Sequence, residues 1–141
     1  MQNNLTEAFT HLNNGDFARA RGAFQLALKL DANDVGALSG MAAVLHNDQD
    51  LEGALTHSEA ALKLDPRNAE LHVHHAQYLL AANQPDKAKT SLKKAHRLGS
   101  GAPDTLYNLG VMHSIIGEFK QAKKCLLKAN SLDKKNPQIL E

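Results

Sequence analysis

Apolar and small residues return along this chain at a fixed interval of 34 positions. Sliding the sequence against itself by that interval superimposes Ala20, Ala54, Ala88 and Ala122, and again Ala27, Ala61, Ala95 and Ala129. Beside these columns fall Phe24, Ser58, Leu92 and Leu126; then Leu30, Leu64, Leu98 and Leu132; then Asp31, Asp65, Gly99 and Asp133. The phase runs without insertion from Met1 to Asn136, which divides the chain into units 1–34, 35–68, 69–102 and 103–136. Leu, Ala and Lys dominate, and β-branched residues are sparse and never alternate, so the units are helical.

Each unit is broken twice. Asn13-Asn14-Gly15-Asp16, Asn47-Asp48-Gln49-Asp50, Ala82-Asn83-Gln84-Pro85 and Ile116-Gly117-Glu118 read as tight turns inside a unit. Asp31 to Asp34, Asp65-Pro66-Arg67-Asn68, Gly99-Ser100-Gly101-Ala102-Pro103 and Asp133 to Pro137 separate one unit from the next. The spacing predicts helices over 3–13, 17–30, 35–47, 51–64, 69–82, 85–98, 103–116 and 119–132, with a further or capping helix starting at 137. Asp16, Asp50 and Asn83 or Gln84 stand at or near helix starts, where a side-chain oxygen satisfies unpaired N–H groups. Pro85 suits a first turn, where its missing N–H costs nothing.

The alanine columns have a steric reason. Where the two helices of a hairpin cross closely, only a methyl group fits between their backbones, and larger Leu and Phe side chains fill the flanking gaps. Ala8, Ala42, Ala76 and Gly110 repeat the requirement on the first helix of each unit. Every hairpin therefore carries a close-contact site on both helices.

Composition changes little in this picture and charge rather more. The chain has 141 residues, is 43% hydrophobic and 4% aromatic, and carries a formal net charge of +1. Residues 1–70 hold five basic and ten acidic side chains, whereas residues 71–141 hold eleven and five, so the halves have opposite sign. Cys125 is the sole cysteine, which excludes an intramolecular disulfide. No stretch approaches the roughly 18 apolar residues of a membrane span, and residues 1–12 lack the pattern of a secretion signal, so a cytoplasmic location is expected.

The units resemble tetratricopeptide repeats over essentially the whole chain. The fourth carries Leu106, Leu109, Gly110, Gly117, Phe119, Ala122, Leu126, Ala129 and Leu132 in that family's pattern; the second carries Leu38, Met41, Ala42, Leu45, Ala54, Ala61 and Asp65-Pro66. Three places depart from it. Asn4, Glu7 and His11 stand where large apolar groups are usual, so the first helix is either rotated or frayed. His72 and His75 occupy core positions, and Gly99-Ser100-Gly101 replaces the Asp-Pro junction.

The resemblance implies an all-α fold, a right-handed α-solenoid of antiparallel helix pairs with a concave face lined by the first helices. Carried onto this chain, the groove positions are Leu5, Phe9 and Leu12; Ser39, Ala43 and His46; Val73, Gln77 and Leu80; and Tyr107, Val111 and Ser114. That wall is neutral and partly apolar, suited to a polypeptide segment of similar character. One subgroup of the family grips a C-terminal carboxylate with Lys, Asn and Arg; the matching positions here are Leu5, Phe9, Ser39, Glu70 and His74. Moving the frame by one repeat gives Ser39, Ala43, His74, Asp104 and Asn108. Neither set supplies a cation at neutral pH, and Glu70 or Asp104 would repel an acidic tail.

Other chemistry is less favoured. His72, His74 and His75 invite a metal, but His72 and His75 share a helical face while His74 points elsewhere, so no metal and no other cofactor is expected. Protonation of His72 or His75 is expected to loosen the array below about pH 6. No phosphate loop, nucleophile elbow or supported Cys/His pair is present, and the chain itself is expected not to be an enzyme. Lys87, Lys89, Lys93, Lys94 and Arg97, with Lys120, Lys123, Lys124 and Lys128, fall on the second helices of units three and four; they read as solvated surface, and the lack of aromatic neighbours argues against nucleic acid. The array is expected either to continue beyond Glu141 or to have its end covered by another copy. The leading functional expectation is a protein-interaction scaffold; the alternative is a recognition arm of a larger enzyme, as in sulfotransferases and glycosyltransferases.

Overall fold

A computed structural model of the protein describes residues 2–99 and 102–132. Among these residues there are eight helices and no strand: α1 (Gln2–Asn13), α2 (Phe17–Leu30), α3 (Val35–Asn47), α4 (Leu51–Leu64), α5 (Ala69–Ala81), α6 (Pro85–Gly99), α7 (Pro103–Ile115) and α8 (Phe119–Leu132). Their boundaries differ from the sequence expectation by no more than one residue. The expected helical start at 137 lies outside the described residues.

The helices group into two compact units, Met1–Pro66 and Arg67–Glu141, each holding two helical hairpins. In the first unit α1 packs on α2, α3 on α4, and α3 also meets α1 and α2; in the second, α5, α6, α7 and α8 repeat these relations. The fold is an all-α helical repeat of the solenoid class.

The small-residue columns are buried in every hairpin. Ala20, Ala54 and Ala88 are fully buried and Ala122 is 5% exposed; Ala61, Ala95 and Ala129 are fully buried, as are Ala8, Ala42 and Ala76. Gly110 completes the third column, and a Cβ there would stand 2.7 Å from Leu126 Cγ and 3.3 Å from the Ala122 carbonyl oxygen. Phe24, Leu92, Leu106, Leu109 and Val44 fill the space beside these contacts. Gly40 faces the Phe24 ring so closely that a methyl group would overlap it.

Both doubtful stretches of the sequence have a structural answer. The first helix is continuous, with Ala8 buried and Glu7 exposed, and Phe9 turns inward to meet Phe24 edge-on, ring centroids 5.0 Å apart. The helix is thus formed through its length rather than frayed. At the third junction Gly99 is buried, and a Cβ there would lie 2.7 Å from both Ala69 Cβ and Thr105 Cγ2. The missing side chain lets the starts of α5 and α7 close on the end of α6.

Four turns share one geometry. Gly15, Gln49, Asn83 and Gly117, spaced by 34, all have positive φ (80°, 65°, 60° and 85°). In each, the next residue's N–H reaches back five residues: Asp16 to His11, Asp50 to Leu45, Gln84 to Leu79 and Glu118 to His113, at 2.8–2.9 Å. This left-handed ending satisfies orphan carbonyls of the first helix and sets up the second. Asp16, Asp34, Asp50 and Asn68 then accept N–H groups of the helices they precede, each such cap contributing about 1 kcal/mol.

Gln49→Gly should therefore stabilise the protein by up to about 1 kcal/mol, and Asn83→Gly by less, since Asn tolerates the left-handed region better. Gly15→Ala and Gly117→Ala should each cost about 1 kcal/mol. Urea denaturation of the four variants measures this; no gain for Gln49→Gly would mean that its turn is not strained.

Candidate functional site

The first helices lie side by side in each unit, α1 beside α3 and α5 beside α7. Every second helix shields the opposite side of its partner through the alanine contacts, so the remaining stripe of each first helix faces outward or is only partly covered. The twelve expected groove positions differ in how far they remain available.

In the first unit Leu5, Phe9, Leu12, Ser39, Ala43 and His46 are all half-buried. Phe9 is committed to Phe24, and Leu5 lies over Gly36, where a Cβ would come within 3.1 Å of its methyl carbon. In the second unit Val73, expected on the groove face, is buried at 3% exposure, as are its neighbours Leu71 and His72 at 7% each, so α5 is covered over more than half of its circumference there. Gln77 is exposed and Leu80 half-buried.

The α7 positions stand out. Tyr107 is 44% exposed and Val111 38%, and Ser114 is exposed beside them. Ile115, which sequence reasoning passed over, is 65% exposed and continues the same stripe at the i, i+4, i+8 spacing. That spacing from Tyr107 was the signal that could have found it. Together they form an apolar ridge one helix face wide, with Gln77 of α5 available for polar contact.

The histidine cluster does not converge. His72 is buried, His75 is half-buried, and His74 points its Nε2 toward Glu70 Oε1 at 3.9 Å. Among the described residues no group of three or more His, Cys, Asp or Glu side chains is placed to hold a metal ion. A buried histidine the sequence reading did not single out is His113, 7% exposed, whose Nδ1 lies 2.9 Å from Glu118 Oε1. Cys125 is buried, and burial pushes its thiol above the ordinary range, opposed only in part by Lys128. Among the described residues no helix is long and apolar enough to cross a membrane.

Burial holds the His74 imidazolium below its ordinary value of 6.5, with Glu70 acting in the opposite sense. The unfolded chain therefore takes up this proton first, so the stability it contributes is present above pH 6.5 and falls on acidification. His74, which the sequence expectation did not name, is thus one source of pH sensitivity. Because its side chain is still 38% exposed, the effect is small: the melting temperature should drop by a few degrees at most between about pH 7.5 and 5.5, and His74→Gln should flatten the drop. An equally steep profile in that variant would exclude His74 as the cause. The Cys125 thiol should react at least about tenfold more slowly with Ellman's reagent in native protein than in guanidinium; equal rates would contradict its burial.

Family models described as tetratricopeptide repeat match residues 5–69 and 103–136. Among solved structures, the thermophilic tetratricopeptide protein TTC0263 of Thermus thermophilus superposes with a TM-score of 0.83 at 22% identity, over 94% of this chain and 74% of its own. The YrrB protein matches with a TM-score of 0.67 at 20% identity, over 96% of this chain and 70% of its own. The O-GlcNAc transferase of Thermobaculum terrenum matches with a TM-score of 0.79 at 20% identity, over 92% of this chain but only 25% of the transferase.

Proposed function

Since the chain belongs to the tetratricopeptide-repeat family, we propose that it is a protein-interaction scaffold that captures a polypeptide segment on its first helices, chiefly on the α7 ridge. The observation that carries this reading is the exposure of Tyr107, Val111 and Ile115 on one stripe. Apolar side chains left in water at helical spacing offer a partner burial worth about 25 cal/mol per Å². The Tyr107 hydroxyl, Gln77 and Ser114 supply hydrogen bonds that fix the register of the captured segment. YrrB, which shares the fold, is described as having an unusual peptide-binding site.

The segment this surface suits is neutral and partly apolar rather than an acidic C-terminus. Glu70 is exposed at one of the positions where a carboxylate clamp needs a cation, and Leu5, Phe9, Ser39 and His74 occupy the others. Ala43 and Ser39, being small, allow a partner backbone to approach α3 closely.

A second reading has its own observation. A fold match over 92% of this chain falls within a quarter of a glycosyltransferase, so the array also suits the recognition arm of a larger enzyme, presenting a protein substrate to a separate catalytic domain. A catalytic domain in the same reading frame would favour it. Both readings use the same surface.

Selection of a displayed peptide library on wild type and on a Tyr107→Ala, Val111→Asp double variant tests the proposal. Wild type should enrich sequences with spaced apolar residues, and the variant, folded by circular dichroism, should lose them. Equal enrichment by both would remove α7 from the binding surface.

A further inference from the structure

A second surface lies within the Arg67–Glu141 unit, on its second helices rather than its first. There a cleft of about 200 Å³ opens between α6 and α8, lined by Lys89, Leu92, Lys93, His96, His113, Glu118 and Gln121. Lys89, Lys93 and His96 stand on one face of α6 at i, i+4 and i+7, so their side chains reach toward the same opening. Buried Leu92 and His113 form its apolar and aromatic walls. The one acidic group, Glu118, has an oxygen 2.9 Å from His113 Nδ1 and is thereby engaged. Outside the cleft Lys87, Lys94, Arg97, Lys120, Lys123, Lys124 and Lys128 are exposed, and no ion pair involves a lysine of α6 or α8 among the described residues.

We propose that this face binds an acidic polypeptide segment and seats one of its carboxylate side chains in the cleft, between Lys89 and Lys93. Three features select that occupant. The surplus of unpaired cations favours an anionic chain, which they would attract and steer. At about 200 Å³ the cleft has the volume for one side chain, and Leu92 at its wall accommodates the methylenes of a Glu. The exposed faces of α6 and α8 carry one Phe, Tyr or Trp ring, Phe119 at 69% exposure, rather than the succession of rings on which a strand of bases would stack, so a nucleic acid would gain mainly charge contacts. This surface is independent of the α7 ridge, and either proposal stands if the other fails.

The test uses the full chain and a fluorescein-labelled hexaglutamate peptide, followed by anisotropy at increasing salt. Binding should weaken with salt, and Lys89→Gln with Lys93→Gln should weaken it about fivefold, the effect of losing two exposed ion pairs. Lys87→Gln with Lys94→Gln removes the same charge from the same helix outside the cleft and should weaken it less than twofold; Tyr107→Ala should leave it unchanged. Absence of binding at low salt, or equal losses in the two lysine pairs, overturns the seat. So does tighter binding of an oligothymidylate of equal charge that depends on the same cleft lysines, which would assign the face to nucleic acid.

Discussion

The structure depends on the room for one methyl group between paired helices. At Ala20 and Ala27 of the first hairpin, and at the equivalent positions of the other three, the methyls are almost entirely shielded from water, and close packing leaves a larger side chain no free volume there. Once that distance is set, the larger side chains have defined gaps to fill: Phe24 beside Gly40 in the first unit, and Leu92, Leu106 and Leu109 in the second. The same contact decides which sides of the first helices remain outside the core. Binding surface and core are thus two consequences of one spacing.

Regular as the scaffold is, its repeats are not equivalent. Leu5 lies over Gly36 and Phe9 meets Phe24, so α1 offers a partner less than α7, which keeps Tyr107, Val111 and Ile115 in solvent. The units differ in charge use as well, since three acidic groups of the first, Asp16, Asp34 and Asp50, serve as helix caps, while the lysines of α6 and α8 have no such local duty. A repeat array distributes roles in this way without altering its backbone: substitutions outside the alanine columns leave the hairpin distance intact.

Helix positions and the alanine contacts were legible in the sequence because they follow from periodicity and side-chain size. The turn geometry was legible only at Gly15 and Gly117; Gln49 and Asn83 adopt the same left-handed conformation, and nothing in their own chemistry requires it, only their place 34 residues on. How far each groove position stays available was not legible, since spacing assigns a face but not its cover: Val73 is buried where Tyr107 and Val111 are not. Ile115 was missed for the complementary reason that it ends its helix. The Glu118–His113 contact could not be read at all, since it joins side chains across a turn whose path had to be known first.

The central claim is that an intact, alanine-spaced scaffold offers the α7 ridge to a polypeptide. Amide chemical-shift mapping of the full chain, titrated with a peptide enriched by library selection, tests it most directly. The account predicts that perturbations concentrate at Tyr107, Val111, Ile115 and neighbouring Gln77, while the amides of Ala88, Ala95, Ala122 and Ala129 stay in place. Perturbations centred on α1, or spread through the alanine columns, would contradict it.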